Sequence, residues 1–230
     1  MKRSEINAIM RDAVEFIGRM NFRLPPFAFW SPADWRRKGR EYDEIRDNML
    51  GWDITDFGSN DYRKIGLLLF TIRNGNFSKR SYAKPYAEKI LLVDEMQVTP
   101  YHFHWKKMED IVNRGGGNLL VKVYNSTKAG RFADTPVAVA RDGRNYTVKA
   151  GAVIKLVPGE SITLPPGQYH KFWGAPGAGR VLLGEVSQVN DDRVDNRFYE
   201  TAGRFPAIEE DAEPLYLLGN EYPPARSSRK

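Results

Sequence analysis

Apolar positions along this chain change their spacing once, near residue 60. Over residues 5–20, Ile6, Ile9, Met10, Ala13, Val14, Ile17 and Met20 follow the i, i+3, i+4, i+7 rule, which predicts a helix with one buried face. Ser4 is the expected N-cap of that helix and Asn21 its stop. Ser31-Pro32-Ala33-Asp34 supplies a capping hydroxyl, a proline at the first helical position and a carboxylate in the first turn, so a second, short helix is expected there. Residues 41–48 are expected to add a turn or two. From about residue 62 the pattern becomes short apolar runs separated by Gly, Pro, Asn and Asp. Strands are predicted at 64–73, 90–94, 118–124, 137–140, 146–148, 153–156, 161–164 and 181–186.

The connections between these strands are too short to hold long helices. Asp142-Gly143, between two of the runs, is a hairpin signal. Closely spaced strands of this kind imply an antiparallel barrel or jelly roll, and such folds take ligands in the mouth or interior. The twenty glycines and fourteen prolines fit that turn-rich, mainly β architecture. One domain is expected for 230 residues: an N-terminal helical segment (1–60), a β-barrel core (62–200) and a C-terminal extension (201–230). In the extension, Leu215 to Leu218 are expected to pack onto the barrel and residues 226–230 are not.

Charge alters this picture little. The formal net charge is +6, but Arg226, Arg229 and Lys230 fall in the last five residues. Elsewhere basic and acidic residues interleave, as in Lys106-Lys107-Met108-Glu109-Asp110, which reads as solvated surface. With no basic stripe and no stacking motif, no nucleic-acid partner is expected. The run Gly66-Leu67-Leu68-Leu69-Phe70 is far too short to cross a bilayer, and the amphipathic start lacks the apolar core of a signal peptide. The expected location is cytoplasmic, with no membrane partner. The absence of cysteine excludes disulfides and thiolate metal sites.

The chain has three histidines, and their placement is informative. His102 and His104, two apart, project to one face if their segment is a strand. Glu109 follows after enough residues for the chain to turn and bring a carboxylate back. His170 follows Pro165-Pro166-Gly167, a tight turn able to present a further ligand from a neighbouring strand. Three imidazoles and a carboxylate suit Mn, Fe, Co, Ni or Zn, one divalent ion per chain.

These residues also carry a resemblance. His102-x-His104-x4-Glu109-x6-Gly116 is similar to the first cupin motif, and Gly159-x5-Pro165-x-Gly167-x2-His170 to the second. Two turn positions depart from the pattern: Met96 stands for the leading Gly of the first motif, and Gly174 for the closing Asn of the second. Residues 88–117, 184–200 and 205–223 resemble the D-lyxose isomerase family of cupins. The resemblance implies a jelly-roll β-barrel with N-terminal helices that interconverts D-lyxose with D-xylulose and D-mannose with D-fructose. It further implies Mn(II) as the metal, a homodimer and cytoplasmic sugar metabolism. Without a Gly-rich phosphate cradle at a helix N-terminus, the expected substrate is a free sugar.

Aldose–ketose isomerisation needs an acid/base group and charge stabilisation at two oxygens. Glu185, an acid inside an apolar run, either faces the cavity as that acid/base or forms a structural ion pair. Lys89 shares the parity of Leu91 and Val93, which aims it inward at substrate oxygens or leaves it guarding a strand edge. Phe172, with the parity of His170, is a candidate wall of the sugar site. Asp191 and Asp192 either bind hydroxyls or lie solvated in a turn, and Trp30, with Phe29, either caps the barrel mouth or packs in a core. On the ligands alone, an iron-dependent dioxygenase and a non-catalytic sugar-binding cupin remain alternatives.

Overall fold

A computed structural model of the chain describes residues 1–189, 191, 194–200, 202–203 and 206–226. Helix α1 (Arg3–Arg19) leads into two short helices, α2 (Pro32–Trp35) and α3 (Asp43–Asp47). Fourteen strands follow: β1 (Gly51–Thr55), β2 (Leu67–Arg73), β3 (Tyr86–Val93), β4 (Val98–His104), β5 (Glu109–Gly116), β6 (Leu119–Ser126) and β7 (Phe132–Ala133), then β8 (Val137–Arg141), β9 (Arg144–Val148), β10 (Val153–Leu156), β11 (Ser161–Leu164), β12 (Gln168–Gly174), β13 (Val181–Gln188) and β14 (Asn196–Phe198). They form two antiparallel sheets, one ordered β1-β2-β3-β13-β5-β11-β8-β9 and the other β10-β6-β12-β4-β14. The expected jelly roll is therefore present. Arg141 pairs with Arg144 across Asp142 and Gly143, both at positive φ, as a two-residue hairpin requires.

Two cores explain the hydrophobic pattern. Between the sheets, Leu69, Leu91, Val93, Ile111, Val121, Ile162, Phe172 and Leu183 form one cluster. On the outer face of β1–β3, Trp52, Ile54, Leu68, Phe70, Ile90 and Leu92 meet Ile6, Met10, Ala13 and Ile17 of α1 in a second. Residues 67–70 show no alternation because α1 covers one face of β2 and the barrel interior the other. Each large side chain buried this way contributes about 1.5–3 kcal/mol. Leu218 is buried in the second cluster, with Leu215 and Tyr216 partly so.

Several boundaries differ from the sequence-based expectation. The N-cap of α1 is Lys2, without a side-chain cap; Ser4 instead donates its hydroxyl to Asp211 at 2.7 Å. The expected stop does turn the chain, with Asn21 at φ +56°. Ser31 and Asp34 close a reciprocal capping box on α2, as their order implies. The segment 1–60 is not wholly helical, because residues 51–55 form β1 against β2. The strands at 86–93, 98–104, 109–116 and 168–174 are longer than, or additional to, the predicted runs, since turn residues or ligands interrupt their apolar pattern.

Candidate active site

The site lies between the sheets, and each sheet supplies a different chemistry. The ladder pairing β12 with β4 sets His170 opposite His102, and His104 follows two residues on. Glu109, Lys89 and Glu185 come from β5, β3 and β13 of the facing sheet, where Glu185 pairs in register with Lys89. A turn at Gly167 donates its N–H to the carbonyl of His104 at 2.9 Å and fixes the second motif against the first.

Ring orientation follows from the backbone. His102 Nδ1 donates to the Pro100 carbonyl at 2.9 Å and His170 Nδ1 to the Gln168 carbonyl at 3.1 Å, so both Nε2 atoms turn to the centre. Those two Nε2 atoms lie 3.0 Å apart, and Glu109 Oε1 is 3.2 Å from His170 Nε2. His104 Nε2 is 3.3 Å from Glu109 Oε2, and its Nδ1 has no hydrogen-bond partner among the described residues. One ligand atom from each of the four residues lies within 4.8 Å of the others, all in the interior. Burial, then repulsion from His170 and His104, holds the His102 imidazole well below its ordinary pKa, so the ring is neutral. Burial pushes Glu109 up, but Lys107 and His104 outweigh it and hold the carboxyl well below the usual range. Three imidazole nitrogens and a carboxylate converging on one point are the donor set a divalent cation takes. The four residues thus fit a divalent metal ion.

Beside them runs a buried chain of charge. Lys107 Nζ lies 2.5 Å from Glu109 Oε2 and 2.8 Å from Glu185 Oε1. Lys89 Nζ lies 3.3 Å from Glu185 Oε1, and the Ser187 hydroxyl donates to the same oxygen at 3.1 Å. Burial pushes the Glu185 carboxyl up; Lys107 and Lys89 overcome that and keep it below its ordinary range. The sequence reading passed over Lys107 as surface charge, yet it is 2 % exposed. Its parity with Glu109, two residues on, was the available signal. Asp195 aims it: the carboxylate accepts the N–H groups of Lys106 at 2.9 Å and Lys107 at 3.1 Å.

A cavity of about 40 Å³ joins these groups. His102, His104, Glu109, Lys107, Lys89, Glu185 and Phe172 all line it, and His170 stands behind them among the ligands. Asp191 does not; it lines an adjoining polar cleft with Asp53, Thr71 and Asn74, which meets the cavity at Lys89. Asp192 lies outside the described residues. Trp30 does not cap the mouth either. It packs edge-to-face on Trp35 and Tyr42, with Lys38 over its ring, because the short helices carry it to the outer layer.

The D-lyxose isomerase family model matches residues 1–222. The chain belongs to the D-lyxose isomerase family. A D-lyxose/D-mannose isomerase of Serratia proteamaculans is 51% identical over 223 residues, covering 96% of this chain and 98% of that one. Another of the same name, from Escherichia coli O157:H7, is 48% identical over the same shares. Among solved structures, a mutant L-ribose isomerase of Acinetobacter sp. DL28 in complex with L-ribose superposes with a TM-score of 0.61 at 14% identity, over 91% of this chain and 98% of that one, a likeness of fold. Membership of the D-lyxose isomerase family makes this chain an aldose–ketose isomerase, so the dioxygenase and the non-catalytic binding protein drop out. No described helix is long and apolar enough to cross a membrane.

Proposed function

We propose that the protein interconverts D-lyxose with D-xylulose and D-mannose with D-fructose as free sugars, with Mn(II) held by His102, His104, Glu109 and His170. Relatives about half identical to this chain are D-lyxose/D-mannose isomerases, which supports the substrates. A divalent ion in that donor set supplies a Lewis acid for the sugar's C1 and C2 oxygens. The observation that carries the mechanism is Lys107, bridging Glu109 and Glu185 in the buried interior.

In this reading Glu185 takes the proton from C2 and returns it at C1. Its two lysine neighbours keep it ionised and ready to accept. Lys107 and Lys89 offer ammonium hydrogens to the sugar oxygens as negative charge develops there. Once a sugar oxygen engages Lys107, Glu185 loses part of its compensation and becomes more basic as the carbon acid ionises. Phe172 walls the sugar chain.

The reading is tested with Glu185→Gln, which keeps shape but removes the base. Turnover is expected to fall about 10²–10⁴-fold with metal content retained, while the wild type incorporates solvent deuterium at the transferred position. A variant that keeps more than about a tenth of wild-type turnover, or that loses its metal, sinks the assignment of Glu185.

A further inference from the structure

Thr99 lies three residues before His102 on β4, a spacing that sends side chains to opposite faces of an unbroken strand. Here the strand is broken. His170 pairs with His102 and Phe172 with Thr99, so three steps on β4 span two on β12. The extra residue is a β-bulge, and it turns Thr99 onto the same inner face as His102 and His104. Thr99 lines the metal cavity one pairing step beyond the His102–His170 pair, with Phe172 opposite it; Leu67, Leu91 and Ile111 line the same cavity.

Its hydroxyl is the feature that stands out. Thr99 is 2 % exposed, and its Oγ1 makes no hydrogen bond among the described residues. Thr55, the other threonine of the cavity, already accepts the Phe57 N–H at 2.9 Å. A buried hydroxyl without a partner destabilises a fold, and a valine of the same shape would avoid the cost. A wall that keeps such a group facing a cavity is built to meet a polar partner arriving from outside.

We propose that Thr99 is a specificity-determining residue whose hydroxyl hydrogen-bonds a sugar hydroxyl beyond the C1–C2 pair. The proposal rests on the isomerase reading above, and takes an open-chain polyhydroxylated ligand whose tail runs from the metal ligands toward Phe172. With Phe172 paired opposite, this hydroxyl offers a polar contact there, so it discriminates by the presence and stereochemistry of one OH.

The test compares Thr99→Val and Thr99→Ser in the metal-loaded enzyme. It measures kcat and KM for D-lyxose and D-mannose, and calorimetric binding of D-arabinitol, the non-reacting alditol of D-lyxose. Thr99→Val is expected to raise KM and the alditol Kd about tenfold or more, with kcat changed far less, metal content intact and Tm not lowered. Thr99→Ser should restore most of the affinity. The proposal is overturned if Thr99→Val binds the alditol within about twofold of wild type, if it melts several degrees lower, or if Thr99→Ser is equally impaired. Failure of the wild type to bind D-arabinitol also overturns it. Failure to isomerise either sugar while alditol binding still depends on Thr99 removes the substrate assignment and leaves this one standing.

Discussion

At His102, burial and the neighbouring imidazoles act in one direction, and both disfavour the protonated ring. In the metal-free protein the unfolded chain takes up a proton on this side chain below about pH 6.5, while the folded chain does not until far lower. More protons on the unfolded state means stability falls as pH falls through that window. Chelated protein should therefore lose denaturant resistance steadily from about pH 6.5 downward, and His102→Asn should flatten the slope. Urea midpoints across a pH series spanning that window check this; equal slopes in both proteins would contradict it. The ligand histidines were legible because they sit in two short patterns and exhaust the histidines of the chain. Glu185 stood out as an acid in an apolar run. Lys107 looked like surface charge, and Thr99 had the wrong parity until a bulge changed it. Trp30 stayed open between two readings because an aromatic residue before a short helix looks the same whether it caps a barrel or packs on its outside.

Among the elements, the turn from β3 to β4 shows how the two departures from the cupin pattern accommodate each other. Met96 holds φ +60°, the left-handed region that the pattern's glycine would enter without strain. Its N–H donates to the Gly174 carbonyl at 2.9 Å, so the two unusual positions are hydrogen-bonded neighbours. A Cβ at Gly174 would come within 2.6 Å of the Asp94 carbonyl oxygen, which rules out the pattern's asparagine with this backbone. Met96→Gly relieves the left-handed strain at some entropic cost and should raise stability by about 0.5–1 kcal/mol, or roughly 1–4 °C in Tm. Scanning calorimetry decides; a lower Tm would show that the exposed methionine side chain contributes more than its backbone costs. β1 was missed in the sequence because five residues between helical and polar segments carry too little pattern, and its partner β2 is what makes it a strand.

On the scale of the molecule, the chain's two ends hold each other. Arg3, 1 % exposed, donates from Nε and Nη2 to Glu210 at 2.8 and 2.7 Å, and from Nη1 to Glu221 at 3.2 Å. Asn7 Nδ2 donates to the Glu213 carbonyl at 2.8 Å and its Oδ1 accepts the Leu215 N–H at 2.8 Å. Tyr222 stacks on Trp35 and donates its hydroxyl to the Leu50 carbonyl at 2.8 Å. Glu221→Gln removes one of two charges facing a buried guanidinium. Because Glu210 remains, the cost should be about 1–3 kcal/mol, below that of breaking a fully buried pair. Chemical denaturation measures it, and a change under about 0.3 kcal/mol would mean Glu210 suffices. None of this clasp could be read in the sequence, where the acids of 209–221 look like an ordinary solvated run.

That clasp also sets an order of events during synthesis. Arg3 and Glu221 are 218 residues apart, and ribosomes add roughly 5–20 residues per second. The first helix is therefore made roughly 10–40 s before its last partner. Over that interval Arg3 waits without its carboxylates and Asn7 without Leu215. The first helix can thus dock its apolar face on β1–β3 well before the clasp that holds its charged end is complete.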